Sequence, residues 1–282
     1  MKSKINFVIC TPNYTAGSGG ILCLHKLAHN ISMLGESSYL YCTIKNPDYQ
    51  GTIINLLEFN KLSKELTIVI YPEIIVGNPL NSSFVVRWLL NSPKIIAGDD
   101  IYDKNDLVFK FVPNLKTNNE DKVCGELRAV ELYLDIFKDL KYPRITKNAH
   151  FIHKGKNKNL IYHPTDSVLL QTHENFYDRA KLFNRIENFL SYDEMTFVSI
   201  QAALCGCNSI VVPKENLSKE EWSKNPFFKY GVAYGIENIQ EAIDTKHLIR
   251  NHLLFLEEES IELTKKFINI CKEKINNGTG CS

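Results

Sequence analysis

Residues 5–34 read INFVICTPNYTAGSGGILCLHKLAHNISML, and this stretch decides the fold class. Ile5-Asn6-Phe7-Val8-Ile9-Cys10 is a short apolar run rich in β-branched residues, the pattern of a buried strand. Pro12 to Gly20 holds three glycines and a proline, which excludes regular structure. Ile21, Leu24, Leu27, Ala28, Ile31 and Leu34 then recur at helical spacing, and Gly35 is placed to end that helix. Tyr39-Leu40-Tyr41-Cys42 resumes as a strand. Strand, glycine-rich loop, helix, strand is the opening of a parallel α/β sheet.

Working outward, the alternation continues. Leu66–Tyr71 reads as a strand stopped by Pro72, Phe84–Leu90 as a helix, Lys94–Ala97 as a strand, and Leu107–Val112 as a strand closed by Pro113. Alternation starts afresh beyond Leu140-Lys141-Tyr142-Pro143, so a boundary is expected there. Strands are then expected at Phe151–His153, Ser167–Gln171, Asn188–Ser191 and Ser209–Val212, with helices at Asp178–Phe183 and Thr196–Leu204. Leu256, Leu263, Phe267, Ile270 and Cys271 share one helical face near the end of the chain, with acids early and lysines late, as the helix dipole favours. The expected organisation is two Rossmann-like, doubly wound domains, 1–142 and 143–248. A C-terminal helix, 249–282, would pack back on the first.

Composition bounds the function. The 282 residues carry 33 Lys+Arg against 32 Asp+Glu, a net charge of +1, which speaks against wholesale nucleic-acid binding. No apolar run approaches the roughly 18–20 residues that span a bilayer. The first apolar run breaks at Pro12-Asn13, which does not suit a secretory signal. The 8 cysteines are scattered without a C-x-x-C, so buried reduced thiols in a cytoplasmic protein are expected.

Three stretches carry candidate chemistry. Gly17-Ser18-Gly19-Gly20 lies between a strand and a helix, where backbone amides can meet an anion. It has neither G-x-G-x-x-G spacing nor a P-loop lysine, and an ordinary loop is the bland alternative. Lys141 to Thr165 contains Lys141, Arg144, Lys147, Lys154, Lys156 and Lys158 with no acid. A solvated lysine face is its usual explanation, but Lys154 and Lys156 directly follow an expected strand, where open α/β sheets bind ligands. Lysines there would serve a diphosphate as point charges. The third stretch runs Tyr192-Asp193-Glu194-Met195-Thr196-Phe197-Val198-Ser199-Ile200-Gln201-Ala202-Ala203-Leu204-Cys205-Gly206-Cys207, then Asn208 to Pro213.

That third segment, an acidic turn entering a helix that stops at Cys-Gly before a β-branched strand, resembles the donor-binding segment of GT-B glycosyltransferases. Gly19-Gly20-Ile21 with Leu24-His25-Lys26-Leu27-Ala28 resembles the first loop and helix of that superfamily. Tyr71-Pro72-Glu73, Gly77-Asn78-Pro79-Leu80 and Val86-Arg87-Trp88-Leu89-Leu90 resemble a subgroup of bacterial surface-polysaccharide (lipopolysaccharide or capsule) transferases. The resemblance implies a GT-B-like enzyme with an inter-domain cleft, a nucleotide-sugar donor in the C-terminal domain and a glycan or lipid-linked glycan acceptor in the N-terminal one. It would work in the cytoplasm or at the cytoplasmic face of the inner membrane, without a cofactor or metal. On this mapping Lys154, Lys156 and Thr196 meet the donor diphosphate, Gly19, Gly20, Tyr192 and Glu194 line the donor site, and Gln201 stands where many members carry an acid. For an inverting enzyme the candidate acceptor bases are His25, Glu73 and Asp99.

Rival readings are also available. Asp99-Asp100 and Asp103 offer oxygens to a divalent ion, without the spacing of the D-x-D motif. His25 and His29 have a zinc-compatible i, i+4 spacing but no evident third ligand. A transferase-like chain without turnover, acting as a glycan binder or complex partner, is the main alternative function, motivated by Gln201 and the short chain.

Overall fold

The computed structural model describes residues 4–153, 155, 156, 158–170 and 175–277. It is an α/β protein with two all-parallel sheets, in two compact units: residues up to Glu131 together with those from Glu257 onward, and Leu132–Leu256.

The first unit contains β1 (Asn6–Cys10), α1 (Gly19–Met33), β2 (Ser37–Tyr41), β3 (Thr52–Ile53), the short α2 (Leu56–Phe59), β4 (Thr67–Pro72), β5 (Phe84–Leu89), β6 (Leu107–Lys110) and β7 (Val123–Glu126). The seven strands lie in the order β3-β2-β1-β4-β5-β6-β7, so the sheet winds outward from β1 in both directions. The strand order therefore reverses between β1 and β4, which pair in register Asn6↔Thr67 to Ile9↔Ile70. Ser18 caps α1, its hydroxyl accepting from the Ile21 amide at 3.4 Å.

Two expectations fail in this sheet. Phe84–Leu90 is the strand β5, not a helix. A strand inside a parallel sheet is covered on both faces, so its apolar run has no alternation to separate it from a buried helix. Its β-branched Val85 and Val86 and its six-residue length suit a strand. Lys94–Ala97 is a loop, not a strand: Lys94 has φ +70°, and Ile95 and Ile96 are both 57% exposed. An element that buries nothing gains nothing from strand geometry.

The second unit contains β8 (Thr146–Phe151), β9 (Val168–Leu169), α3 (Phe176–Phe183), β10 (Ile186–Ser191), α4 (Phe197–Leu204), β11 (Asn208–Val211), the short α5 (Lys219–Trp222), β12 (Val232–Tyr234) and α6 (Ile239–Thr245). Its order is β12-β11-β10-β8-β9, and the reversal falls between β8 and β10. Phe183 of α3 packs edge-on against Phe189 of β10 at 5.1 Å.

The last helix, α7 (Ile249–Asn277), belongs to the first unit from Glu257 onward. There Phe267, fully buried, meets Phe7 of β1 at 5.8 Å and Phe109 of β6 at 5.0 Å. Burying such a side chain is worth about 1.5–3 kcal/mol, so this half of α7 is part of the first core. No helix among the described residues is long and apolar enough to cross a membrane. Among the described residues Cys10, Cys23, Cys42, Cys205, Cys207 and Cys271 are free thiols, all but Cys42 buried.

Candidate functional site

In the second unit the chain leaves β8 and β10 side by side, with Phe151 opposite Ser191, at the point where strand order reverses. Such switch points are where open α/β sheets form a crevice beyond their carboxyl ends. Asp193, buried just past β10, draws the two exits together: its Oδ1 accepts from the amides of His153 (3.0 Å) and Gly155 (2.8 Å). The approach is so close that a Cβ on Gly155 would lie 2.2 Å from the Tyr192 carbonyl oxygen. Only glycine fits there.

The neighbouring side chains are tied into the same frame. The Tyr192 hydroxyl accepts from the Tyr162 amide (3.1 Å) and stands 2.7 Å from His163 Nδ1. His163 stacks on His150 with ring centroids 3.7 Å apart, and His150 Nδ1 bonds the Ser167 hydroxyl at 2.9 Å. Burial, and then the charge of His163, holds the His150 pKa below the usual histidine value. Burial raises that of Tyr192.

Glu194 forms an ion pair with Lys158 (2.9 Å), whose ammonium also donates to the Val212 carbonyl (2.7 Å). The Glu194 carbonyl accepts from the Trp222 indole at 2.8 Å. Thr196 caps α4, its hydroxyl accepting from the Val198 amide at 3.3 Å. Lys156 is exposed beside this frame. Lys154 lies outside the described residues. Tyr192, Glu194, Thr196 and Lys156 thus all fall on the loops that leave β8 and β10. Gln201 does not share their surroundings: it is buried on α4 and accepts from Arg179 Nη1 at 3.0 Å, linking α4 to α3.

In the first unit Gly19 and Gly20 open α1, and a Cβ on Gly20 would touch Leu90 at 3.7 Å. The Leu90 amide donates to buried Glu73 Oε2 (3.0 Å), so the glycine loop and the exit of β4 meet through Leu90. Gly98, at φ +80°, presses against the Glu73 backbone, where a Cβ would lie 2.0 Å from the carbonyl oxygen. That contact sets Asp99 beside Glu73; Asp99 Oδ1 accepts from the Ile101 amide at 3.2 Å. His25 is placed differently. Its Nδ1 accepts from the Asn46 amide (3.1 Å), so Nε2 carries the proton toward the Pro12 carbonyl (3.4 Å). Burial holds its pKa low, and the neutral ring serves as a clamp between two loops.

The rival metal readings find other uses for their residues. His29 Nδ1 accepts from the Gln50 amide at 3.1 Å. Asp100 accepts from the Thr117 hydroxyl, the Asn118 amide and the Asn119 side chain. Among the described residues no group of three His, Cys, Asp or Glu side chains is arranged to hold a metal ion.

Sequence reasoning gave no separate part to Asp193, Lys158 or Arg87. Asp193 and Lys158 stood inside the quoted stretches, but their partners lie about forty or more residues away, which no local pattern encodes. Arg87 is buried on β5 with its Nε on Asp106 Oδ2 (2.8 Å) and its guanidinium 5.2 Å from the rings of both Tyr71 and Tyr102. Lone buried arginines paired in this way signal a polar interior, which the misreading of β5 as a helix concealed. The sequence matches no protein-family model, and no curated protein aligns with it at a significant level.

Proposed function

We propose that the protein is a GT-B-type glycosyltransferase that moves a sugar from a nucleotide-sugar to a glycan or glycolipid acceptor, its second unit taking the donor and its first the acceptor. The observation that supports this reading is the meeting, at the strand-order reversal of the second sheet, of the basic loop after β8 with the Asp193-Glu194 turn that leads into α4. Breaking an anomeric C–O bond to a diphosphate builds negative charge on the leaving group and oxocarbenium character on the sugar. Lys156, together with the sequence-assigned Lys154 and the positive end of the α4 dipole, would stabilise that charge more in the transition state than in the ground state. Asp193 spends the 153 and 155 amides on the loop itself, so the cationic work falls to side chains. The acceptor would meet Glu73 and Asp99 in the first unit, either of which can take its hydroxyl proton.

The test is turnover of nucleotide-sugars with UDP, GDP, ADP and CMP carriers, followed by nucleotide release. Wild type should consume one class of donor, and Lys156→Ala should lose roughly tenfold or more in its affinity. Silence with every carrier would remove the proposal.

A second reading, a glycan-binding protein without turnover, is favoured by one observation: Gln201, where an acid was expected, is committed to Arg179. It predicts glycan binding with no sugar released from any donor.

A further inference from the structure

We propose that the exit of the first sheet around Tyr102 is a subsite for a neutral, polyhydroxylated ligand: a sugar ring of the acceptor. This rests on the transferase reading and names a residue and a ligand class that the reading leaves open. Tyr102 is 8% exposed, and its hydroxyl is sealed from solvent with no hydrogen-bond partner among the described residues. A buried hydroxyl left unpaired costs about 1–3 kcal/mol, and folded proteins carry few of them.

The hydroxyl is not stranded by a slack loop. Gly98 is wedged against Glu73, Asn119 Nδ2 holds the Asp100 carbonyl at 3.1 Å, and Lys122 Nζ holds the Tyr102 carbonyl at 2.8 Å. The loop is therefore anchored on both sides of an unsatisfied group. The charges acting on the phenol are those of Asp100, Arg87, Glu73 and Asp99, and burial is the larger influence that raises its pKa.

Those charges select the ligand. An anion would face three carboxylates, and a cation would face the Arg87 guanidinium. A sugar hydroxyl suits both signs, because it accepts from the phenol and donates to a carboxylate at once. Asp100 is already committed to residues 117–119, so the acceptor offered is Asp99, one of whose oxygens takes the Ile101 amide.

The experiment is Tyr102→Phe in the full chain, which removes one oxygen and keeps the ring. Free of ligand, the variant should melt about 2 °C higher, since an unpaired polar atom is gone. Binding of the methyl α-glycosides of glucose, galactose, mannose and rhamnose, followed by saturation-transfer NMR, should include at least one ligand of wild type. The variant should bind that ligand about tenfold more weakly. A lower melting temperature would mean the phenol is already bonded, for instance to an enclosed water, and would overturn the proposal. So would equal glycoside binding by both proteins, or none by wild type. Binding of UDP and GDP to the same samples reports separately on the donor site, so a failed subsite and a failed transferase reading leave different patterns.

Discussion

The connecting loops of the two sheets handle their polar groups in opposite ways. In the second unit the polar groups past β8 and β10 satisfy one another: Asp193 holds two amides, Tyr192 bonds the 162–163 segment, and Glu194 holds Lys158. In the first unit acids gather around a phenol that has no partner among the described residues. A saturated network is a frame, which fixes a basic loop beside a helix start. An unsatisfied one is a place where binding energy is still to be gained.

The strongest way to break this comparison is to damage each frame at its glycine. Gly98→Ala puts a Cβ 2.0 Å from a backbone oxygen at φ +80°, and should cost about 3 kcal/mol or more in a denaturant melt. Gly155→Ala meets Tyr192 at 2.2 Å without a positive φ, so its cost should be similar or smaller and should fall mainly on nucleotide affinity. If both are tolerated without loss, neither approach is as close as described.

Asp193→Ala comes next, at about 2–3 kcal/mol, because it leaves two amides without their acceptor. Asp193→Asn keeps an oxygen at that place and should recover most of the loss. Equal damage from both substitutions would show that the charge, rather than the acceptor, matters.

A smaller effect concerns pH. The folded-state pKa of His150 is depressed, so between that value and the unfolded one, near 6.5, the unfolded chain binds the extra proton. Its contribution is complete above about pH 6.5 and is lost as pH falls through that value toward the depressed one. His25 and His29 carry depressions of the same sign in the first unit. Thermal melts between about pH 7.5 and 5 should therefore fall more steeply for wild type than for His150→Gln. Parallel curves would remove His150 from the frame's acid sensitivity.

Much of the fold was legible because two periodicities alternate in the first forty residues. Apolar runs gave β1 and β4, and three- and four-residue spacing gave α1. The same method failed on β5, where burial on both faces erases the signal, and on residues 94–97, where apolar residues stay outside. The short β7 and β12 carry too few residues for any pattern. The site was legible where it is local. Tyr192, Glu194 and Thr196 share one turn, whereas the bonds of Asp193 to residues 153 and 155, of Gln201 to Arg179 and of His25 to Asn46 join distant segments. Side-chain chemistry alone made His25 look reactive; only its two partners show it as a clamp.

The most direct measurement is a nitrogen–proton NMR titration of the whole chain with a nucleoside diphosphate, repeated with UDP, GDP and ADP. One of them should shift the amides at the start of α4, Phe197 to Ser199, together with those near Lys156, and Lys156→Ala should weaken the response. Shifts confined to the first unit, or none with any nucleotide, would contradict it.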